Sequence, residues 1–298
     1  MTAALSQGGL TLDEMCGLAG VSRAGYYRQW QASAPRQEET GLRDAIQTLA
    51  LAHRHYGYRR IAAQLWRDGW VANHKRVLRL MREDNLLCLR TRPFVPRTTQ
   101  SNHGWRVVPN LVRTIALSGI DQLWVADITY VRLSEEFAYL AIMLDAFSRK
   151  VVGWALETHL RAELAIAALN MAIAARRPSP GSLIHHSDRG VQYACGDYAA
   201  VLDANAIRPS MSRVANPYDN AKAESFMGTL KREEVNGSAY RDVEDARARI
   251  GEFIEQVYNR QRLHSALDYK PPEEYEATLP RYQTAISPTD ISFNHNCP

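Results

Sequence analysis

Three strand-like runs, residues 123–131, 137–144 and 151–156, follow one another with breaks too short to hold a helix. Parallel neighbours need a crossover of a dozen or more residues, so these runs are expected to form an antiparallel meander. The period then changes. A helix is expected over residues 161–175, a strand at 182–186, a helix over about 196–206 and a short strand at 207–211. A meander followed by alternating helix and strand predicts an α/β fold, a mixed five-stranded sheet with flanking helices. Two more helices follow, at 221–234 and 243–262. In the second, Ala246, Ile250, Phe253, Ile254 and Val257 share a buried face.

The first third of the chain reads differently. Residues 12–19 suggest a short helix, Gly20-Val21-Ser22 a turn, and Ser22 the N-cap of a second helix to Trp30. That outline fits a DNA-binding helix-turn-helix and a plain helical hairpin equally well. A further helical unit spans residues 41–89. In it Tyr58, Ile61 and Leu65 share one face, and Arg60, Gln64 and Arg67 another. Gly69 ends that helix and Asn73 caps the next. There Val77, Leu80 and Met81 turn inward while Arg76, Arg79 and Arg82 recur toward solvent. Such a face is either simply solvated or made for phosphates, and its single sign and Arg content favour phosphates.

Charge supports the division. The whole chain carries 36 Lys and Arg against 32 Asp and Glu, a net of only +4. Residues 1–110 hold 16 basic and 8 acidic side chains; residues 111–298 hold 20 and 24. A basic front joined to a mildly acidic rear suggests a polyanion-binding module attached to something that holds cations. Residues 93–110 lose periodicity and contain Pro93, Pro96, Gly104 and Pro109, which marks a linker. The expected organisation is therefore a helix-turn-helix-like segment at 1–40 and a basic helical DNA-binding region at 41–92. A linker at 93–112, a core at 113–278 and a tail at 279–298 follow.

Other classes fall away. Hydrophobic residues at 46% and charged residues at 23% describe a globular chain rather than a disordered one. No basic stretch followed by an apolar run opens the chain, so no secretory signal is expected. The longest apolar helical run, residues 164–175, is too short to span a bilayer. Cys16, Cys88, Cys195 and Cys297 form no C-x-x-C pair, which disfavours a disulfide scaffold or zinc ribbon and suits a reducing cytoplasm.

Three carboxylates stand out. Asp127 lies in mid-strand, where an unpaired buried carboxylate costs several kcal/mol; it either faces water on an edge strand or needs a partner. Asp188 ends its strand, as a turn former or as a ligand at the strand terminus, where open α/β sheets place their sites. Glu224 lies in the first turns of a helix capped by Asp219 or Asn220, on one face with Gly228 and Lys231. Taken alone it reads as a Glu at the positive end of a helix dipole, with Lys231 solvated. Sixty residues separate the first pair and thirty-five the second. Together the three can hold two divalent ions roughly 3.5–4 Å apart, and hard oxygen donors favour Mg2+ or Mn2+ over zinc. Lys231 would then reach the same substrate phosphate. Among rivals, Asp145 falls at a strand end before a turn and reads as a turn residue. His185 and His186 lack the partner pattern of metal ligands.

The surrounding motifs are specific. Trp124-Val125-Ala126-Asp127-Ile128-Thr129-Tyr130, His186-Ser187-Asp188-Arg189-Gly190-Val191-Gln192-Tyr193 and Asp219-Asn220-Ala221-Lys222-Ala223-Glu224-Ser225 resemble the OrfB subunit of DDE-type insertion-sequence transposases. Tyr258-Asn259-Arg260-Gln261-Arg262-Leu263-His264 does so too, as do Tyr56-Gly57-Tyr58-Arg59-Arg60-Ile61 and residues 21–28 nearer the N-terminus. The resemblance implies a ribonuclease H-like, integrase-like core in which Asp127, Asp188 and Glu224 are catalytic metal ligands for two Mg2+ ions, or Mn2+ in their place. It implies cleavage at transposon ends and attack of a 3′-hydroxyl on another phosphodiester. Arg59, Arg60, Lys75, Arg76, Arg79 and Lys231 are then DNA contacts, with Arg260, Arg262 and His264 beyond the last helix. Expected partners are terminal inverted repeats and target DNA, further copies of the chain assembled on DNA, and an OrfA-type partner or fusion upstream of Met1. No membrane is involved, and the expected location is the cytoplasm, on the nucleoid when DNA is bound. Ala215, where similar proteins often have Gly, is a local departure. The alternatives are a non-catalytic DNA-binding regulator derived from a transposase and another ribonuclease H-like nuclease.

Overall fold

The computed structural model describes residues 11–20, 22–24, 39–86, 88, 108–113, 115–212 and 220–280. They fall into two compact units, Met1–Cys88 and Leu89–Pro298.

In the first unit α1 (Leu12–Leu18) opens on a capping box. The Thr11 hydroxyl accepts the Glu14 N–H, and the Glu14 carboxylate accepts the Thr11 N–H at 2.7 Å. Most of the second helix expected at 22–30 lies outside the described residues. Three helices follow: α2 (Thr40–Ala52), α3 (Tyr58–Arg67) and α4 (His74–Glu83). They bury Leu42, Ile46, Ile61, Leu65, Val77, Leu80 and Met81, each contributing about 1.5–3 kcal/mol. Asn73 caps α4 as its sequence suggests, its Oδ1 accepting the Lys75 N–H at 2.8 Å. Two arginines of α4 also find partners inside the unit. Arg79 bonds Glu39 at 2.7 Å and Glu83 at 2.9 Å, and Arg76 bonds Glu39 at 3.3 Å. The Glu39 side chain is only 8% exposed. A carboxylate withdrawn from water draws cations to it, so part of the basic face is neutralised within the unit.

The second unit is built on β1 (Leu123–Arg132), β2 (Phe137–Asp145), β3 (Val151–Glu157), β4 (Ile184–Ser187) and β5 (Arg208–Met211). Their spatial order is β3-β2-β1-β4-β5. The first three pair antiparallel, and β4 and β5 run parallel to β1. Alternation along β1 divides the core. Trp124, Ala126 and Ile128 pack toward α5 (Ala162–Arg176) and the helices that follow β4, the short α6 (Val191–Ala194) and α7 (Gly196–Ala204). Leu123, Val125 and Val131 pack toward α8 (Ala221–Glu233) and α9 (Val243–Glu252). Helix α5 lies so close to β3 that a Cβ on Gly153 would sit 2.3 Å from the Ala168 carbonyl oxygen. Only glycine permits that approach. This is the ribonuclease H-like sheet, flanked by helices, that the resemblance implies.

Two departures matter for function. Residues 243–262 are not one α-helix: α9 gives way to a π-helical segment, Phe253–Tyr258, and i→i−5 bonds continue from Asn259 to Ile254 and from Arg262 to Val257. The widened turn sets Asn259 against the edge strand, where its amide accepts from the Val151 N–H at 3.0 Å and donates to the Val151 carbonyl at 2.9 Å. Arg262, expected on DNA, is buried instead and bonds Glu233 through two contacts of 2.9 and 2.7 Å. Arg260 is likewise engaged, by Glu273 and Gln256. The last helix is α10 (Pro272–Ala277).

Candidate active site

Asp127 belongs by alternation to the face of β1 that meets α8. The parallel pairing of β1 with β4 matches Val125 with His186. Continued two residues, that register sets Asp188 beside Asp127, where β4 ends and the sheet opens. The loop leaving β4 turns at once. The Gly190 N–H donates to Asp188 Oδ1 at 2.9 Å, and a Cβ on Gly190 would fall 3.0 Å from that oxygen and 3.1 Å from Gln192 Oε1. A side chain there would crowd the carboxylate, so glycine leaves it room.

Glu224 comes from α8, which two side chains pin across β1 and the end of β2. Asn220 occupies the N-cap position yet makes no cap bond within its own helix. Its Nδ2 donates instead to the Ala126 carbonyl at 3.0 Å, one residue from Asp127. Lys222 donates to the Ala146 carbonyl at 2.8 Å. Glu224, one turn further, is exposed, and Lys231, two turns beyond it, lies with Nζ 4.6 Å from the centre of the Tyr130 ring.

The electrostatics join these groups. Burial pushes the Asp127 carboxyl up to about 7, and the neighbouring Asp188 carboxylate adds to the rise. The Ile128 N–H bond at 2.9 Å opposes it, Glu224 raises it further and Lys231 lowers it. Desolvation also raises Glu224. It lowers Lys231, against the pull of Asp127. Like charges gathered in a desolvated place are costly unless a cation neutralises them. The donor chemistry fits a hard divalent ion: carboxylate oxygens, and near them the buried Asn220 Oδ1, which has no hydrogen-bond partner. Among the described residues, no three His, Cys, Asp or Glu side chains stand ready to enclose a metal.

Known proteins share this plan. Two models of an integrase core domain match residues 119–217 and 205–272, and a model of an HTH-like domain matches residues 36–94. The uncharacterized 31 kDa protein of insertion element IS600 from Shigella sonnei is 40% identical over 265 residues, covering 88% of this chain and 97% of that relative. Transposase InsF for insertion sequence IS3A, from Escherichia coli (strain K12), is 36% identical over 276 residues, 91% of this chain and 95% of its own length. The chain belongs to the OrfB-like DDE transposases of the IS3 family. It is a polynucleotidyl transferase of the class that cuts and joins DNA strands with Mg2+. A chain of the simian T-cell lymphotropic virus intasome in complex with a PP2A regulatory subunit is more distant. It has 16% identity and a TM-score of 0.47, over 84% of this chain and 80% of that one.

The rival ligands of the transposase have other occupations. Asp145 is buried at the end of β2 and accepts the N–H groups of Asp121, Phe147 and Ser148 at 2.7, 3.0 and 2.7 Å. The Ser148 hydroxyl lies 3.1 Å from the same carboxylate. This is the turn role its position suggests, and burial, against those bonds, lifts it to about 6. His185 is hydrogen-bonded to the Tyr198 hydroxyl at 2.8 Å, and burial drives it down to about 3, leaving it neutral. His186 sits between the hydroxyls of Ser210 and Ser212 at 2.9 and 3.0 Å.

The basic candidates of the first unit separate into three sets. Arg59 and Lys75 are exposed, and the Arg59 guanidinium lies over the Tyr58 ring. Arg60 is half-buried, over Tyr56. Arg76 and Arg79 are the pair drawn to Glu39. Sequence reasoning missed Asn220 as a strut, because a polar residue before a helix reads first as its cap. It also missed Glu276 in α10, which bonds Arg176 and accepts from Ser148 at 2.6 Å. Its partners lie 100 and 128 residues away in sequence. Ala215 and Asp219 lie outside the described residues.

Proposed function

We propose that Asp127, Asp188 and Glu224 are the catalytic carboxylates of this transposase and that they hold two Mg2+ ions, or Mn2+ in their place. One observation carries the reading. The Asp127 carboxyl is desolvated, accepts a single backbone N–H, and is raised to about 7 beside two further carboxylates on the same face of the sheet. Bound divalent metal supplies positive charge at the scissile phosphate and acidifies the attacking water or 3′-hydroxyl. The protein's part is placement. Asp127 and Asp188 come from two paired strands, and Glu224 comes from a helix fastened to the first strand by Asn220. Lys231 presents its ammonium on the same face to a phosphate of the bound strand.

The substrates proposed are the element's terminal inverted repeats and a target duplex, gripped by Arg59, Arg60, Lys75, Arg76 and Arg79 as well as Lys231. Of these first-unit candidates, Arg59 and Lys75 are exposed, whereas Arg76 and Arg79 are drawn to Glu39. The domain limits proposed remain 1–40, 41–92, 93–112, 113–278 and 279–298. Copies of the chain assemble on DNA, with an OrfA-type partner or fusion upstream. The site of action is the bacterial cytoplasm, at the nucleoid. No described helix is long and apolar enough to cross a membrane.

The test is end joining by the purified chain on duplexes carrying the element's ends, with Mg2+ added last. Joining that needs Mg2+ and disappears in Glu224→Gln supports the reading. Tight, specific end binding without cleavage under any metal would identify a DNA-binding regulator instead. Cleavage confined to RNA–DNA hybrids would identify a different nuclease.

A further inference from the structure

A buried tyrosine normally finds a partner for its O–H. In the second unit the Tyr198 hydroxyl meets His185 Nε2 at 2.8 Å, and the Tyr240 hydroxyl donates to Glu234 at 3.0 Å. Tyr193, on α6, is different. It is only 5% exposed, and among the described residues its hydroxyl is the one buried hydroxyl that makes no hydrogen bond. Packing does not call for that oxygen. The ring sits among His185 and Tyr198, with ring centres 6.1 and 5.4 Å away. Phenylalanine would fill the same space without withdrawing a hydroxyl from water. The surroundings of Tyr193 point to a partner. Its ring lies against Gly190, where an added Cβ would meet Cδ2 at 3.6 Å. Gly190 is the residue whose N–H holds Asp188 Oδ1 at 2.9 Å. Burial raises the phenol well above its ordinary range, and Tyr198, Asp188 and Asp127 raise it further. The group therefore stays a neutral donor while those carboxylates are ionised.

We infer that Tyr193 is a positioning residue of the metal site, its O–H being the donor that steadies the Asp188 carboxylate when a divalent ion is held there. A carboxylate that ligates an ion is kept in place by hydrogen bonds behind it, and removing such a partner weakens metal affinity by about 10–100-fold. A phenol suits that task beside Asp127, Asp188 and Glu224. It adds no negative charge where carboxylates already repel one another. A lysine or arginine there would instead compete with the ion for the same oxygens. The unbonded hydroxyl costs stability in the metal-free fold and gains its bond when the ion binds, so one side chain couples metal affinity to stability in opposite directions. The inference rests on the assignment of Asp188 to the catalytic centre.

The full chain is unfolded in denaturant at rising Mg2+, without DNA, as wild type, Tyr193→Phe and Asp188→Asn. Without metal, Tyr193→Phe is expected to unfold at a midpoint equal to or above that of the wild type, because it removes a buried hydroxyl that has no partner. With metal, the Mg2+ concentration that gives half the full stabilisation is expected to rise roughly tenfold. Near-ultraviolet difference spectra supply a second readout. Mg2+ should move a tyrosine band to longer wavelength in the wild-type chain, as a phenol does on donating a hydrogen bond, and should not do so in Tyr193→Phe. A wild-type Mg2+ dependence or an unaltered difference spectrum in Tyr193→Phe overturns the inference. So does a clear fall in its metal-free midpoint, which would give the hydroxyl a structural partner already. The Asp188→Asn arm keeps the two assignments apart. Loss of the Mg2+ response there, with Tyr193→Phe behaving as wild type, strikes the tyrosine alone. An undiminished response in Asp188→Asn, or none in the wild type, refutes the metal site itself.

Discussion

Asp127 and Asp145 sit on neighbouring strands of one sheet, and both are lifted well above an ordinary aspartate, to about 7 and about 6. Burial is the first cause in each case. What faces them differs. Asp145 is ringed by three backbone N–H groups and the Ser148 hydroxyl, and its neighbours Asp121 and Glu276 are themselves paired with Arg176. Asp127 accepts one N–H and faces Asp188 and Glu224. Desolvation is common to a structural cap and to the proposed catalytic group. Unneutralised like charge around the group is what separates them.

The largest effect is expected at Asp188. Asp188→Asn should lower Mg2+-dependent cleavage on the order of a thousandfold or more, because several kcal/mol of transition-state charge stabilisation depend on the metal ligands. Gel-shift affinity for end DNA should stay near the wild-type value. Activity within tenfold of wild type would remove Asp188 from the site.

Asp145→Ala should behave in the opposite way. It strands one buried and two part-buried N–H donors, and each unsatisfied buried group costs about 1–3 kcal/mol, so a loss of roughly 3 kcal/mol in denaturant titration is predicted. The same change should leave cleavage per folded molecule nearly intact. An unchanged midpoint would show that the ring of donors around Asp145 stabilises nothing.

A smaller effect separates the two by pH. Both folded carboxyls bind protons more tightly than the unfolded chain, whose aspartates titrate near 3.9. Metal-free stability therefore falls as pH rises from about 4, through about 6 for Asp145 and about 7 for Asp127. Mg2+ should restore the Asp127 share alone. Melting curves at pH near 8 should thus rise with Mg2+ in the wild-type chain and not in Asp127→Asn. An equal rise in both would place the ion elsewhere.

The smallest effect concerns the helical unit. Lys75→Ala should reduce the slope of log affinity against log salt by about one. Arg79→Ala should lower the slope by less than one and also cost stability, because it leaves the buried Glu39 short of a cation. A full unit of slope lost at Arg79 with no loss of stability would reverse that division.

The sheet was legible because Leu123 to Val131 alternates toward two cores and because the breaks after it are short. Asp127 was legible because carboxylates are rare in strands and costly there. The carboxylate partner of the α4 arginines was hidden because Glu39, 37 and 40 residues before them, is brought to them only by folding. The π-helical segment was hidden for a related reason: Phe253, Ile254 and Val257 satisfy a helical period. The widened turn is fixed by Asn259 on Val151 and Arg262 on Glu233, contacts 108 and 29 residues apart. Local pattern carried the elements, and long-range polar pairing carried what was missed.

The most direct measurement sets Asp127→Asn beside Asp145→Asn in a strand-joining assay with Mg2+, each rate divided by the folded fraction. The account predicts that Asp127→Asn is inactive at full folding, while Asp145→Asn joins DNA at close to the wild-type rate per folded molecule. Joining by Asp127→Asn, or its loss in well-folded Asp145→Asn, would contradict the assignment of the metal site to Asp127, Asp188 and Glu224.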